Sequence, residues 1–291
     1  YSIVRRYNLL EPHPPSPEQM GACSGMMYLS MMAGRHRAAD AFATRVTALH
    51  RRLQNPLAYA DANLTLALAW MGQARWEACE RSATEAEQIF QRLEERQPRM
   101  TMVSILANAA ELQGHFSRAR GLWEQEQQLA LESGDQLGQC WAAGGIAMLE
   151  IRHGNFAAAA AQAAQARALA RTTGEAVSYL ADTGLLALAS FEDGDLQGAR
   201  TLLDEGLSIV ATLPRLATAH HLLNGLDTFS ELALRFWEQE APAAGTAAWK
   251  AWSRQAQLVV SRTSGYARRF AIGAPMADRK STRLNSSHRL T

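Results

Sequence analysis

Apolar and small residues fall at helical offsets in five successive stretches of the chain, and each stretch closes on a glycine: Gly34, Gly72, Gly114, Gly154 and Gly194. Eight residues upstream of these glycines stand Met26, Leu64, Leu106, Ile146 and Leu186. Seven upstream stand Met27, Thr65, Ala107, Ala147 and Ala187, and five upstream Leu29, Ala67, Ala109, Leu149 and Ala189. Offsets of three to four without alternation predict helices rather than strands. The small residues on this stripe let a neighbouring helix come close. A glycine at the end of such a stripe takes the left-handed backbone that a helix C-terminus commonly needs.

Two positions after the glycines come His36, Ala74, Phe116, Phe156 and Leu196, and five positions after come Ala39, Glu77, Ala119, Ala159 and Ala199. The second unit fits poorly, and Trp76 and Ala78 point to a slip there. Successive glycines are separated by about 40 residues, a period within the range of helical repeat arrays. Each second helix runs to a stop at Asn55-Pro56, Gln97-Pro98, Ser133-Gly134, Thr173-Gly174 or Leu213-Pro214, since proline cannot continue a helix interior and restricts the residue before it. The pattern predicts helix pairs over 18–54, 57–97, 100–133, 136–173 and 176–213. A stretched sixth pair runs from Leu216 to Gln239 and from Thr246 to Arg269. A long fixed period of this kind marks a stacked array, which offers surfaces rather than a catalytic cleft.

The segments Gly114-His115-Phe116-Ser117-Arg118-Ala119 and Gly154-Asn155-Phe156-Ala157-Ala158-Ala159 resemble the tetratricopeptide repeat (TPR). The resemblance implies an all-α, TPR-like solenoid of about six helix-turn-helix repeats in a right-handed superhelix. The period is longer than is usual for that family, which implies longer helices. HEAT-type repeats share the longer period, but the glycine–aromatic–alanine spacing favours TPR. A narrower likeness rests on His220-His221-Leu222-Leu223-Asn224-Gly225, on Glu231 to Glu238, and on Tyr266 to Pro275. These stretches resemble the C-terminal helical region of bacterial signalling proteins that carry a class III adenylate/guanylate cyclase domain, an AAA-type ATPase and TPR repeats. That family tends to have Phe-Pro-Ile-Gly-Arg-Pro where this chain has Phe270-Ala271-Ile272-Gly273-Ala274-Pro275.

Composition narrows the picture further. Forty-seven per cent of the 291 residues are hydrophobic and the formal net charge is +1. This is a globular composition, and near-zero charge argues against nucleic acid as a partner. No apolar run approaches a membrane span and no signal peptide is visible. The odd, scattered Cys23, Cys79 and Cys140 read as reduced residues of a cytoplasmic protein. Lysine occurs only at Lys250 and Lys280, which with the abundant alanine suggests a GC-rich bacterial genome. Residues 1–17, with four prolines, read as a linker or partial upstream element, and 18–275 as the repeat domain. Residues 276–291 read as non-native: Asp278 to His288 match the translation of a sequencing adapter, and the DNA string decides the point.

Catalytic motifs are not found. Neither lysine sits in a phosphate-binding loop, and no nucleophile–base pair or metal-ligand set stands out. Adjacent His220 and His221 diverge by about 100° on a helix and do not converge on one ion. His115 and His153 read as exposed turn residues, Gly144-Gly145 as a close helix contact, and Glu94-Glu95 and Asp204-Glu205 as solvated helix faces. No cofactor is expected. The first helices of a TPR-like stack line its inner face, and the stripe opposite the packing face places Tyr28, Tyr59, Asn108, Glu111, Trp141 and Phe191 there as candidate partner contacts. A protein, a peptide helix or an adjacent domain of the same chain suits so apolar a face. Only Asn108 fits a carboxylate-clasping mode. The resemblance implies a protein-interaction or regulatory module of a larger cyclase–ATPase signalling protein. The rival reading is the effector-sensing arm of an ATPase–TPR–helix-turn-helix transcription activator.

Overall fold

A computed structural model describes residues 2–212, 222–239 and 245–289. Among these every regular element is a helix. The chain divides into two compact units, 1–133 and 134–291. The first holds α1 (Ser2–Leu10), α2 (Pro17–Met32), α3 (His36–Leu53), α4 (Pro56–Gly72), α5 (Trp76–Arg92), α6 (Arg96–Leu112) and α7 (Phe116–Ser133). The second holds α8 (Gln136–His153), α9 (Phe156–Thr173), α10 (Ala176–Glu192), α11 (Leu196–Thr212), α12 (Leu222–Gln239), α13 (Ala247–Ala267) and α14 (Ala274–Arg289). Within each unit consecutive helices pack as antiparallel neighbours, and each first helix also packs on the first helix of the next pair, α2 on α4, α4 on α6, α8 on α10 and α10 on α12.

Backbone handedness sets the period. Positive φ recurs at equal steps along the chain, at Gly34, Gln54, Ala74, Glu94, Gly114, Gly134, Gly154, Gly174 and Gly194. Each of these residues follows a helix of closely similar length, so one repeat spans two such steps. Four of the five predicted turn glycines sit in this register. Gly72 does not: it is the last residue of α4, and Ala74 takes the left-handed position with φ 55°. Shifted to that position, the second unit fits the others, with Trp76 at the bulky position and Cys79 at the small one. Ala39, Cys79, Ala119, Ala159 and Ala199 are all buried at the start of the second helices.

A left-handed alanine carries a Cβ penalty that glycine lacks, on the order of 1 kcal/mol after glycine's extra chain entropy is counted. Ala74→Gly is therefore expected to raise the urea midpoint of unit 1, and an unchanged or lower midpoint would show that the turn is relaxed by other means.

The starts are equally local. Asn55 caps α4, its Oδ1 accepting from the Ala58 amide at 3.0 Å, and Pro56 occupies the first turn, where its missing N–H is harmless. Asp135 caps α8 by accepting from the Leu137 and Gly138 amides. The predicted stop at Gln97-Pro98 is displaced: α5 ends at Arg92, Glu94 makes the left-handed turn, and Pro98 lies inside the first turn of α6. Residues 1–17 contribute a helix, α1, whose Tyr7 is buried and whose Ile3 packs where a Cβ on Gly25 would stand. Residues 274–289 form α14, where Lys280 is buried against Glu231 and Asp227 of α12. The Leu213-Pro214 stop, the start of the sixth pair at Leu216 and the His220-His221 pair lie outside the described residues.

The first helices carry the core. Ala142 through Leu149 of α8 are all buried, as are Leu180 through Leu185 of α10. A helix apolar on every side is a helix packed on every side. The second helices bury only one stripe, Ala159, Ala163, Ala166 and Ala170 in α9 for example. The cysteines are free and buried.

Candidate interaction site

The six residues predicted on the inner stripe are placed in contacts rather than in open solvent. In unit 1, Tyr28 and Tyr59 are half-buried against the core. Tyr59 stacks on His50 of α3 with ring centroids 3.7 Å apart, and its hydroxyl donates to Glu85 Oε2 of α5 at 2.9 Å. Burial is the largest of the effects that raise the Tyr59 phenol above its usual value, and the Glu85 carboxylate adds to it. Asn108 donates to the Ser104 carbonyl of its own helix at 2.9 Å, and Glu111 is buried. In unit 2, Trp141 is half-buried and its indole N–H donates to Ser178 Oγ on α10 at 3.2 Å. Phe191 meets Phe236 of α12 edge-on at 5.2 Å, and the Arg235 guanidinium lies 5.4 Å from its ring centre. The stripe is thus engaged in different ways: Tyr59 by second helices, Asn108 by its own helix, and Trp141 and Phe191 by the next first helix.

Of the other residues singled out in the sequence, His115 and His153 are exposed at their turns. Gly144 is a close-packing glycine, since a Cβ there would stand 2.7 Å from Asp182 Oδ1. Glu205 departs from the solvated reading. It joins a network across three helices in which Arg167 of α9 donates to Thr183 Oγ1 at 3.0 Å, to the Tyr179 hydroxyl at 2.7 Å and to both Glu205 oxygens at 2.8 Å. The Tyr179 hydroxyl donates to Glu205 Oε1 at 2.5 Å. Burial alone would raise the Glu205 carboxyl, but the hydrogen bonds from Tyr179 and Arg167 hold it below its ordinary value. Tyr59–Glu85 and Tyr179–Glu205 occupy equivalent repeat positions, with the same separation along the chain in each pair.

Two buried acids escaped the sequence reading. Glu126 of α7 is fully buried and accepts from the Ser104 hydroxyl at 2.5 Å. The equivalent positions hold Val46, Ala86, Ala166 and Gly206. Asp182 of α10 is 4% exposed, where its equivalents are Ala22, Ala62, Met102 and Ala142. Its Oδ2 accepts from the Cys140 thiol of α8 at 3.5 Å. Burial pushes the Asp182 carboxyl up to about 7, against the opposing effect of that thiol. Burial, with Asp182 second, drives the Cys140 thiol upward. The signal that would have found both acids is a charged residue in a column of small apolar ones. It becomes readable once the repeat register is corrected at Ala74.

Among the described residues no group of three His, Cys, Asp or Glu side chains is placed to hold a metal ion, and no helix is long and apolar enough to cross a membrane. A cleft of about 300 Å³ in unit 1 is lined by Phe90, Leu129 and the charged Glu94, Glu95, Arg96 and Arg99, among others. Arg99 already pairs with Glu87 at 2.7 Å.

No protein family and no curated protein matches the sequence. Solved structures do match by shape. The apo form of RapI superposes with a TM-score of 0.64 at 10% identity, covering 92% of this chain and 99% of that one. A Rap protein complexed with Competence and Sporulation Factor gives 0.63 at 12% identity, over 98% and 80%. A STAND (signal transduction ATPase with numerous domains) protein with a tetratricopeptide repeat sensor, PH0952 from Pyrococcus horikoshii, gives 0.63 at 10% identity, over 96% of this chain and 41% of that one. These likenesses establish the fold class: an all-α array of TPR-like helical repeats.

Proposed function

We propose that the chain is a protein-interaction and regulatory module that receives a protein, a peptide or an adjacent domain on its first helices. The observation that carries this reading is the packing of those helices. Each first helix is the shared element of its neighbours, so a partner inserted beside Trp141 or Phe191 must shift α10 against α8 or α12. In an array whose stability is a sum of nearest-neighbour contacts, such a shift passes from pair to pair. Tyr28, Tyr59, Asn108, Glu111, Trp141 and Phe191 are the proposed contacts, of which the half-buried rings of Tyr59, Trp141 and Phe191 offer the reachable apolar area. The Rap structure solved in complex with Competence and Sporulation Factor supports the idea that this fold can receive a bound factor.

In this reading the module belongs to a larger cytoplasmic bacterial signalling protein of the cyclase–ATPase–TPR kind, and this fragment itself carries no catalysis. The sensor arm of an ATPase-linked transcription activator is the second reading, favoured by the likeness to a STAND protein with a TPR sensor. The test is the catalytic output of the parent protein with and without residues 18–275. Output that changes, and that Trp141→Ala or Phe191→Ala uncouples from its effector, supports the module. Identical output under every effector sinks it. Native sequence is proposed to stop near Met276 or Ala277, and a nucleotide string after that point unlike the adapter would remove this part of the reading.

A further inference from the structure

The contact between α8 and α10 is built around an acid that has no cation among the described groups facing it. Among its contacts are Trp141 to Ser178, Cys140 to Asp182, and Gly144 facing Asp182. A Cβ at 144 would stand 2.7 Å from Asp182 Oδ1, so a side chain there would force the carboxyl to shift. The groups that face Asp182 or its immediate surroundings are these. From α8 there is the Cys140 thiol, which also has the Ala166 carbonyl of α9 as an acceptor at 3.4 Å. From α9, Arg167 is turned to Thr183, Tyr179 and Glu205 of α11. From α12, Thr228 lies against Gly184 with its hydroxyl within reach of its own helix's carbonyls. Glu175, just before α10, acts on the thiol and adds negative charge. An ionised carboxylate here has one weak S–H donor and no countercharge, whereas the neutral acid fits a nearly dry seam.

We infer that Asp182 is a proton-operated latch on the α8–α10 seam, closed while the carboxyl is neutral and loosened when it loses its proton. Ionisation is relieved by letting water reach the carboxylate, which requires α8 and α10 to part at Gly144. The first group uncovered is Cys140. The latch couples proton activity to the same helix contact that a partner at Trp141 would move, but it rests on the seam geometry and not on any partner.

The experiment is peptide-resolved alkylation of the full chain with N-ethylmaleimide across pH 5.5 to 8.5, comparing wild type with Asp182→Asn. The variant keeps a thiol at Cys140 and removes the ionisable group beside it; because ionised Asp182 also raises that thiol and would by itself slow the wild type, a wild-type to variant ratio that rises with pH runs against this effect and reads the seam. The wild-type to variant ratio for Cys140 is expected to be near one at the acid end and to rise about tenfold by the alkaline end, as the open population follows deprotonation. The ratio for Cys79, in unit 1, is expected to stay flat. A Cys140 ratio that does not change with pH overturns the latch, as does a parallel rise at Cys79, which would mean general loosening. Asp182→Ala, with the residue found at positions 22, 62 and 142, repeats the comparison if the asparagine variant does not fold.

Discussion

Replacing Phe229 by alanine is expected to remove about 3–5 kcal/mol of stability, the usual cost of deleting a fully enclosed aromatic side chain. Phe229 is completely buried, and its ring is housed against Gly206 of α11, with Gly184 of α10 at ordinary contact distance. A Cβ on Gly206 of α11 would lie 2.1 Å from Cζ and 2.3 Å from Cε1, and one on Gly184 of α10 would lie 3.4 Å from Cε2. The ring therefore fills space that α11 leaves only because Gly206 lacks a side chain. The converse substitution tests the same packing. Gly206→Ala gains about 1 kcal/mol in helix propensity but overpacks the ring, at about 1–3 kcal/mol or more in a well-packed core. The fully enclosed ring would have to leave its site to admit the new Cβ, so a net loss is expected. Gly206→Ala combined with Phe229→Leu should recover part of it, and a double-mutant cycle on urea unfolding would read the coupling. A Gly206→Ala protein more stable than wild type would show that the ring can move and that the glycine is incidental.

The second large effect is a pH dependence. The carboxyl of Asp182 has its ordinary value near 3.8 in the unfolded chain and is raised to about 7 in the fold. Between these values the folded state holds a proton that the unfolded state has released, so stability falls as pH rises. The contribution is fully present below about pH 4 and is lost through pH 7. Over some three pH units this amounts to on the order of 4 kcal/mol, at about 1.4 kcal/mol per unit. Asp182→Asn, which cannot ionise, should therefore be more stable than wild type above pH 7, with the advantage shrinking towards pH 4. Urea midpoints of both proteins from pH 4.5 to 8.5 check this. Parallel curves would mean that the carboxylate finds solvent or a donor in the folded state and carries no such penalty. The latch inferred for the α8–α10 seam is the local expression of the same linkage. It can fail independently, if ionisation destabilises the whole unit without opening that seam first.

Much of the fold was legible before any coordinates. The turn glycines, the proline starts and the small-residue stripes act within a few residues of themselves, so the helix pairs fall close to their expected bounds from α2 to α11. The one misplaced turn glycine, Gly72, shows how that reading fails. A glycine marks a left-handed position when it is there, but an alanine can be forced into one by the helices on either side, and nothing local to Ala74 announces it. The proposed interaction stripe was less legible. Tyr59, Trp141 and Phe191 stand on first helices, yet their exposure depends on the next pair, a full repeat further along the chain. Glu205 looked like surface charge until Arg167 and Tyr179 arrived from two other helices.

By itself, then, the sequence determined the helical period, most of the places where the chain reverses, and the small residues that allow close approach. These follow from backbone sterics and short-range side-chain spacing. Only the tertiary structure decided that Asp182 and Glu126 are buried, that Gly144, Gly184 and Gly206 are notches for an acid, a threonine and a ring, and that the middle turns of α8 and α10 are buried on every side. Burial and closeness are properties of pairs of surfaces, and the second surface of each pair comes from a distant part of the chain.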